Sequence, residues 1–127
     1  MEKIINFGKT WSFSPKNITY PTSASEISEI VKNAKKVRTM GSRHSWSKGI
    51  VSEDILVSLD KMCQLGTVNK ATNQVIVEAG TKLKDIIVGL EAQGYAFYNL
   101  GSINAQSIAG AISTATHGTG INFQCLA

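Results

Sequence analysis

Residues 41–46 (GSRHSW) form the first of two stretches whose side chains could do chemistry. They follow a short apolar segment, and Gly, Ser and Arg at the end of a strand can turn backbone N–H groups toward an anion as a nest. His44 lies at the centre, and a neutral imidazole can serve as a base or a nucleophile near neutral pH. A lone loop histidine is more often only a hydrogen-bonding residue, and Trp46 would ordinarily belong to a core.

Residues 107–120 form the second stretch, and almost all their side chains are small. Small residues allow close approach of the backbone, either to a packed helix or to the phosphates and ribose of a cofactor at a helix start. Composition does not decide between these partners. His117 would, on the simplest interpretation, bond backbone carbonyls in a glycine-rich turn. Neither the Rossmann nor the P-loop glycine pattern occurs, so a phosphate site here would have another design.

Two amphipathic helices are predicted to position these stretches. Ser23 and Glu26 have the spacing of a capping box, and the first helix then runs to about Lys36. Thr81 is the predicted cap of the second helix, and Gly94 is its C-terminal glycine. Each helix carries a stripe that we expect to be buried, formed by Ile27, Ile30, Val31 and Ala34 in the first and by Leu83, Ile86, Ile87 and Leu90 in the second.

Extended segments separate the helices. They are predicted at residues 18–21, 37–40, 55–59, 66–69, 74–78 and 95–100. The two segments at 66–69 and 74–78 would form a hairpin through a turn at 70–73. A helix, a strand and a polar loop in succession are typical of an α/β unit.

Composition restricts the class of protein. With 127 residues, 43% hydrophobic and 17% charged, the chain has the balance of a compact globular domain, which excludes disordered and fibrous classes. The net charge of +4 is mild, and its cluster at 32–48 is more simply a solvated helix face than a phosphate site, so we expect no nucleic-acid partner. Cys63 and Cys125 lack metal-ligand spacing. We therefore expect no metal and a reducing compartment, although one disulfide stays possible.

Neither a signal peptide nor an apolar run of membrane-spanning length occurs, so we expect a cytoplasmic protein with no transmembrane segment.

Several segments, in order, carry a resemblance to a known family. They are Trp11, Tyr20-Pro21, 37–46 (VRTMGSRHSW), 57–62 (VSLDKM), 75–80 (VIVEAG), 99–102 (NLGS) and 116–120 (THGTG). Each is weak alone, but the ordered combination is specific. It resembles the flavin domain, of the FAD-binding PCMH type, of the vanillyl-alcohol-oxidase type of FAD-linked oxidases. Within that group it is most similar to the sugar-lactone and alditol oxidases, which include gulonolactone, arabinonolactone and xylitol oxidases.

The resemblance implies a set of FAD-binding residues: Gly41, Ser42, Arg43, His44, Ser45, Trp46, Gly101, Ser102, Gly110, Ala111, Thr116, His117 and Gly118. His44 matches the residue that joins FAD covalently, through a ring nitrogen to the 8α-methyl carbon. The residues around His44 would wrap the pyrophosphate, although Arg43 could instead point to solvent. Ser102 matches a residue beside the reactive ring and is the candidate catalytic residue. No cysteine stands near 101–103, which implies attachment through the histidine alone.

The implied fold is α+β, a PCMH-type domain of two α+β subdomains. Residues 1–62 would form a small parallel α/β subdomain and residues 63–127 the first part of a second, mixed or antiparallel one, with FAD between them. Family members continue into a substrate domain, so the resemblance implies a piece truncated at its C-terminus and inactive alone. Open sheet edges would then permit self-association.

The implied function is oxidation of an alcohol group of a sugar lactone or polyol. Hydride would pass to flavin N5, and oxygen or another acceptor would reoxidise the flavin. Two alternatives stay open at this point. One is a flavin- or nucleotide-binding module without catalysis, and the other is a structural domain whose small-residue stretch packs helix to helix.

Overall fold

The computed structural model describes residues 2–126, which form two compact units that divide between Met62 and Cys63. Both units contain helices or short strands, so the chain has the α+β composition expected from its sequence. The assignment of the units as subdomains of one cofactor domain stays a prediction. No helix within residues 2–126 is both long and apolar enough to cross a membrane.

Unit 1 contains two small sheets. The first pairs β1 (Ile4–Ile5) with β2 (Ser12–Phe13) in antiparallel fashion. The second is a parallel sheet of β3 (Asn17–Thr19), β4 (Val37–Met40) and β5 (Ile55–Ser58), in the order β3-β5-β4. Helix α1 (Ala24–Asn33) connects β3 to β4.

The central position of β5 follows from its apolar sequence. Strands pair with both edges of β5, and three consecutive residues, Leu56, Val57 and Ser58, are buried, so both of its faces are covered as well. Leu56 packs with Ile4 and Met40 into the core of unit 1. Parallel strands that are buried on both faces typically have continuous apolar sequences, as this strand largely does.

Helix α1 begins as its sequence predicts but ends earlier. The Ser23 hydroxyl accepts a hydrogen bond from the Glu26 N–H at 3.2 Å, as an N-cap should. The Glu26 carboxylate does not return to Ser23; it accepts instead from the N–H of Thr22 at 2.7 Å and from its hydroxyl at 3.0 Å. Ala34 is already extended, so the helix ends at Asn33 rather than near Lys36.

The stripe of α1 is less buried than predicted. No residue of the helix is fully buried; Ile27, Ile30 and Ala34 are partly covered, and Val31 is 54% exposed. Amphipathic spacing predicts which residues share a face, but it does not say how much protein covers that face.

Unit 2 is built around α2 (Leu83–Glu91) and α3 (Ile108–Ser113). The core consists of residues from both helices and the preceding loop, namely Val68, Leu83, Ile86, Leu90 and Ala111. Ile87 of the predicted stripe is only partly buried. The helix ends at its predicted glycine: Gly94 has φ +80°, and the Gly94 and Tyr95 N–H groups donate to the Glu91 and Leu90 carbonyls, as in a Schellman motif.

Two extended predictions in unit 2 are only partly right. The hairpin is reduced to single antiparallel bridges, Leu65 with Val77 and Asn69 with Gln74, and residues 95–100 form no strand. The Asn69 side chain accepts from the Ala71 N–H at 3.0 Å, so the predicted turn does form.

Backbone carbonyls, rather than side chains, cap both helices of unit 2. Thr81 is not the cap of α2, because its hydroxyl donates to the carbonyls of Glu78 and Gln64. Each helix instead donates its first N–H groups to carbonyls that precede the other helix. The bonds are Leu83 N to Gln106 O (2.9 Å), Lys84 N to Asn104 O (2.9 Å), Ile108 N to Thr81 O (2.8 Å) and Ala109 N to Ala79 O (3.3 Å).

The Glu26–Thr22 contact predicts a pH dependence of stability. The Thr22 N–H and then the Thr22 hydroxyl lower the pKa of the Glu26 carboxyl below its usual 4.5; burial opposes them by less, and the charge of Lys61 adds the smallest lowering effect. A carboxyl with a lowered pKa stabilises the fold above its unfolded pKa, and this contribution is lost as the pH falls through the folded pKa. We expect Glu26→Gln to unfold at a lower temperature at neutral pH and to match the parent at strongly acidic pH.

Thermal unfolding followed by circular dichroism across the acid range measures this difference. Glu29→Gln is the matched control, since it removes one carboxylate from the same helix. Equal pH profiles of the two variants would contradict a specific role for the Thr22 contact.

Candidate functional site

The loop at residues 41–47 follows β4 and contains two polar atoms that are buried without a partner. Ser42 Oγ and His44 Nδ1 have no hydrogen-bond partner among the described residues. Each such atom costs about 1 to 3 kcal/mol, so native structures rarely keep them without a reason. A hydroxyl that can donate and an imidazole nitrogen two positions further along the chain are suited to a ligand that carries an anionic oxygen and, nearby, an electrophilic or polar atom.

A left-handed residue turns this loop back on itself. Arg43 has φ +61°, a conformation that non-glycine residues seldom adopt and that often marks functional sites. Its carbonyl accepts a hydrogen bond from the Phe7 N–H at 2.9 Å. Arg43 is exposed, in agreement with the alternative that its side chain points to solvent.

The turn at residues 6–11, between β1 and β2, holds the other end of the loop. The Trp11 indole N–H donates to the Trp46 carbonyl at 3.1 Å. The Trp46 ring is 70% exposed rather than in a core, and it lies over Gly8, where a Cβ would stand 2.7 Å from the ring. The His44 ring stacks on the Phe7 ring with centroids 4.4 Å apart and planes at 20°.

Sequence reasoning missed this turn as part of the site. The family resemblance points to Trp11 only as one matching residue, and none of its segments includes Phe7. The available signal is local: Asn6 precedes Phe7, and a glycine and a threonine lie between Phe7 and Trp11, which indicates a turn that carries aromatic side chains. No local pattern says which loop such a turn contacts.

Gly118 of the second stretch, and Gly101 before it, allow close approach of other backbone segments of the same unit. A Cβ on Gly118 would lie 2.5 Å from the Leu100 carbonyl oxygen, and one on Gly101 would lie 3.2 Å from the His117 carbonyl oxygen. Residues 99–101 and 116–118 therefore run against each other within unit 2. The His117 ring is exposed, and its Nδ1 lies 2.7 Å from the Gly118 carbonyl, as the simpler interpretation of this histidine expects.

The other predicted residues of unit 2 differ in exposure. Ala111 is fully buried in the core, so its side chain does not face a ligand. Gly110 and Ser102 are exposed, while Thr116 is partly buried and its N–H donates to the Ala111 carbonyl. Packing thus explains part of the small-residue composition, and the first N–H groups of α3 are already used by the carbonyls before α2.

The structure groups the predicted residues into two sets. Those at 41–46 lie together in unit 1, and those at 101–118 lie in unit 2. Within residues 2–126, no three His, Cys, Asp or Glu side chains come together as a metal site.

The close approach at Gly118 predicts a steric effect on stability. We expect Gly118→Ala to destabilise the chain by about 1 to 3 kcal/mol, because the added methyl group meets a backbone carbonyl that cannot rotate away. Urea unfolding measures the change.

Gly110→Ala is the matched control, since the nearest atom to its Cβ is the Ser107 hydroxyl at 3.2 Å, and alanine is favoured over glycine within a helix by about 1 kcal/mol. If both variants lost the same free energy of unfolding, the contact with the Leu100 carbonyl would be excluded as the cause.

Curated relatives resemble almost the whole chain. It is 36% identical to the L-gulonolactone oxidase of Mus musculus, over 96% of this chain and 29% of that protein. It is 39% identical to the D-arabinono-1,4-lactone oxidase of Candida glabrata, over 90% and 23%, and 33% identical to the L-gulono-1,4-lactone dehydrogenase of Mycobacterium tuberculosis, over 89% and 27%. The chain thus spans about a quarter of the length of the curated relatives it matches.

Solved structures and a family model agree on the fold. A solvent-stable cholesterol oxidase matches with a TM-score of 0.79 at 21% identity, over 94% of this chain and 24% of that one. The cholesterol oxidase of B. sterolicum matches with a TM-score of 0.76 at 20% identity, over 91% and 24%. The model described as an FAD binding domain matches residues 15–126. The resemblance to the sugar-lactone oxidases is confirmed, and the chain belongs to the family of FAD binding domains.

Proposed function

We propose that this chain is the flavin-holding part of a longer oxidoreductase that oxidises an alcohol group of a sugar lactone or polyol. The names of the relatives support a lactone substrate, and both oxidases and a dehydrogenase occur among them, which leaves the electron acceptor as oxygen or another molecule. The substrate is proposed for the longer protein, not for these residues alone.

The observation that carries the proposal is the pair of unpartnered buried atoms, Ser42 Oγ and His44 Nδ1, in one loop of unit 1. A folded domain gains by satisfying such atoms, and a cofactor with phosphates and a polar ring system can satisfy both. The residues present therefore fit FAD.

The residues beside His44 would hold the pyrophosphate. Ser42 can donate its hydroxyl proton to a phosphate oxygen, and the exposed Arg43 guanidinium can add a charge-assisted bond. The Ser45 hydroxyl accepts from the Ser47 N–H at 3.2 Å and lies 3.0 Å from the Ser47 hydroxyl, which fixes the last turn of the loop. Gly41 and the exposed Trp46 complete this set.

His44 is the proposed attachment residue. If FAD is bound, a ring nitrogen of His44 would bond to the 8α-methyl carbon of the flavin; the methyl group and the imidazole would each lose one proton, and the two electrons would pass into the flavin and from it to the acceptor that reoxidises it. Bound FAD supplies the hydride acceptor, N5. Attachment is proposed through this histidine alone.

The residues of unit 2 have lesser proposed roles. Ser102 is exposed and free of the core, which suits contact with the reacting part of a ligand, and it remains the proposed catalytic residue. Gly101, Gly110, Thr116, His117 and Gly118 are proposed to offer backbone or polar atoms to the cofactor, and Ala111 only its backbone, because its side chain is in the core.

Location and assembly are proposals that rest on composition and on open strands. The low cysteine content supports the cytoplasm. Strands β3 and β4 are the outer strands of the parallel sheet of unit 1, and such outer strands support self-association.

Flavin retention tests the proposal. The 127-residue chain is incubated with FAD, precipitated with trichloroacetic acid and examined for yellow colour and flavin fluorescence in the pellet. We expect the parent chain to retain flavin and His44→Ala to retain none, because the only proposed nucleophile is gone. His117→Ala is the matched control, since the chain has only two histidines and this one bonds its own backbone; it should retain flavin as the parent does.

Each contrary result refutes a stated part. Flavin retained by precipitated His44→Ala refutes the attachment residue. Flavin that binds but is fully extracted from the parent refutes covalent attachment and supports loose binding. Protein that never binds flavin refutes the proposal and supports a structural domain.

A further inference from the structure

We propose that Phe7 is a positioning residue for His44. Its ring stacks on the imidazole at 4.4 Å with planes 20° apart, yet 64% of its surface is exposed, so core burial does not explain its place. The proposal deepens the proposed function by assigning the group that orients the attachment residue, and its first measurement does not depend on that function.

The turn that carries Phe7 is rigidly built. Asn6 is buried, and its side-chain carbonyl accepts from the N–H groups of Thr10 at 2.9 Å and Trp11 at 3.2 Å. Its amide group donates to the Thr10 hydroxyl at 3.0 Å. Lys9, with φ +54°, completes the reversal. A side-chain amide that bridges a turn in this way fixes the backbone on which Phe7 stands.

Two hydrogen bonds fix the turn against the loop, one on each side of His44. The Phe7 N–H donates to the Arg43 carbonyl at 2.9 Å, and the Trp11 indole donates to the Trp46 carbonyl at 3.1 Å. The loop therefore cannot shift along the turn without breaking one of them. His44 lies between Arg43 and Trp46 in sequence, so the segment that carries it is held at both ends against the turn that carries Phe7.

Stacking limits how the imidazole can turn. A histidine side chain has two rotatable bonds, and a free loop histidine samples several orientations. With one face of the ring against Phe7, any rotation about the second bond that tilts the ring would break the stack, so the imidazole is held in one plane, and in this structure Nδ1 lies at its buried edge without a partner. A nucleophile held in one orientation reacts faster than one that must first find it.

Two substitutions at Phe7 separate orientation from bulk. Phe7→Leu keeps apolar volume but removes the aromatic face, and Phe7→Tyr keeps the face. Tyr98→Leu is the matched control, because Tyr98 is an aromatic residue of unit 2 that is 84% exposed. Thermal unfolding confirms that each variant is folded.

The first measurement is the NMR chemical shift of the His44 ring protons without flavin, with the His117 ring as an internal reference. We expect upfield ring-current shifts in the parent chain, in Phe7→Tyr and in Tyr98→Leu, and their loss in Phe7→Leu. Unchanged His44 shifts in Phe7→Leu would overturn the proposal, whether or not the chain binds flavin.

The second measurement is the rate at which flavin becomes resistant to acid extraction. An aromatic pair of ordinary strength predicts a rate about 2- to 10-fold lower in Phe7→Leu and unchanged in the other two variants. Equal rates in all variants would overturn the positioning role even if the stack exists. Absence of any retained flavin in the parent chain would refute the proposed function instead, and the ring-proton shifts would still decide whether Phe7 orients His44.

Discussion

The need of buried polar groups for hydrogen-bond partners governs both units of this structure. Regular strands are short, so much of the backbone must find partners outside ladders. In unit 2 the starts of α2 and α3 find them in each other's preceding carbonyls. In unit 1 the loop after β4 finds them in the turn at 6–11. Within that loop the requirement is not met at two atoms, Ser42 Oγ and His44 Nδ1, whereas the other buried atoms without a partner, Thr19 Oγ1 and Gln106 Oε1, each stand alone in their segment.

The position of the loop also follows from the topology of the sheet. In open parallel sheets, ligands bind outside the carboxyl ends of the strands, where the chain leaves the sheet. The loop at 41–47 leaves the carboxyl end of β4, next to the buried β5. The small antiparallel pair β1 and β2 then contributes the turn that braces it. The two sheets of unit 1 share no hydrogen-bonded ladder, yet both position this loop: the parallel sheet precedes it in the chain, and the antiparallel pair supplies the turn that contacts it.

Features that depend on neighbouring residues, such as helix caps, could be predicted from the sequence, whereas contacts between distant segments could not. Gly94 at the end of α2 and Ser23 at the start of α1 were predictable because each acts within one turn of helix. Thr81 fits a capping pattern equally well, yet the N–H groups of Leu83 and Lys84 at the start of α2 donate to carbonyls 23 and 20 residues further along the chain, those of Gln106 and Asn104. Val31 lies on the predicted face but lacks cover. The loop at 41–46 was recognisable because its residues cannot extend a strand, whereas its brace joins residues 35 apart, Trp11 and Trp46.

The hydrogen bonds exchanged between the starts of α2 and α3 close the chain between them into a ring. We call the place where its two ends meet, at residues 79–84 and 104–109, the neck. The antiparallel bridge of Lys82 with Ser107 stands at that neck. A ring of this kind tolerates changes of length at its exposed far side, because doubling a flexible loop costs only about 0.6 kcal/mol of closure entropy. Insertions at the neck itself would separate both helix starts from their acceptors at once. Related chains should therefore vary in length at the far side of the ring, around residues 92–96, and keep it constant at 79–84 and 104–109.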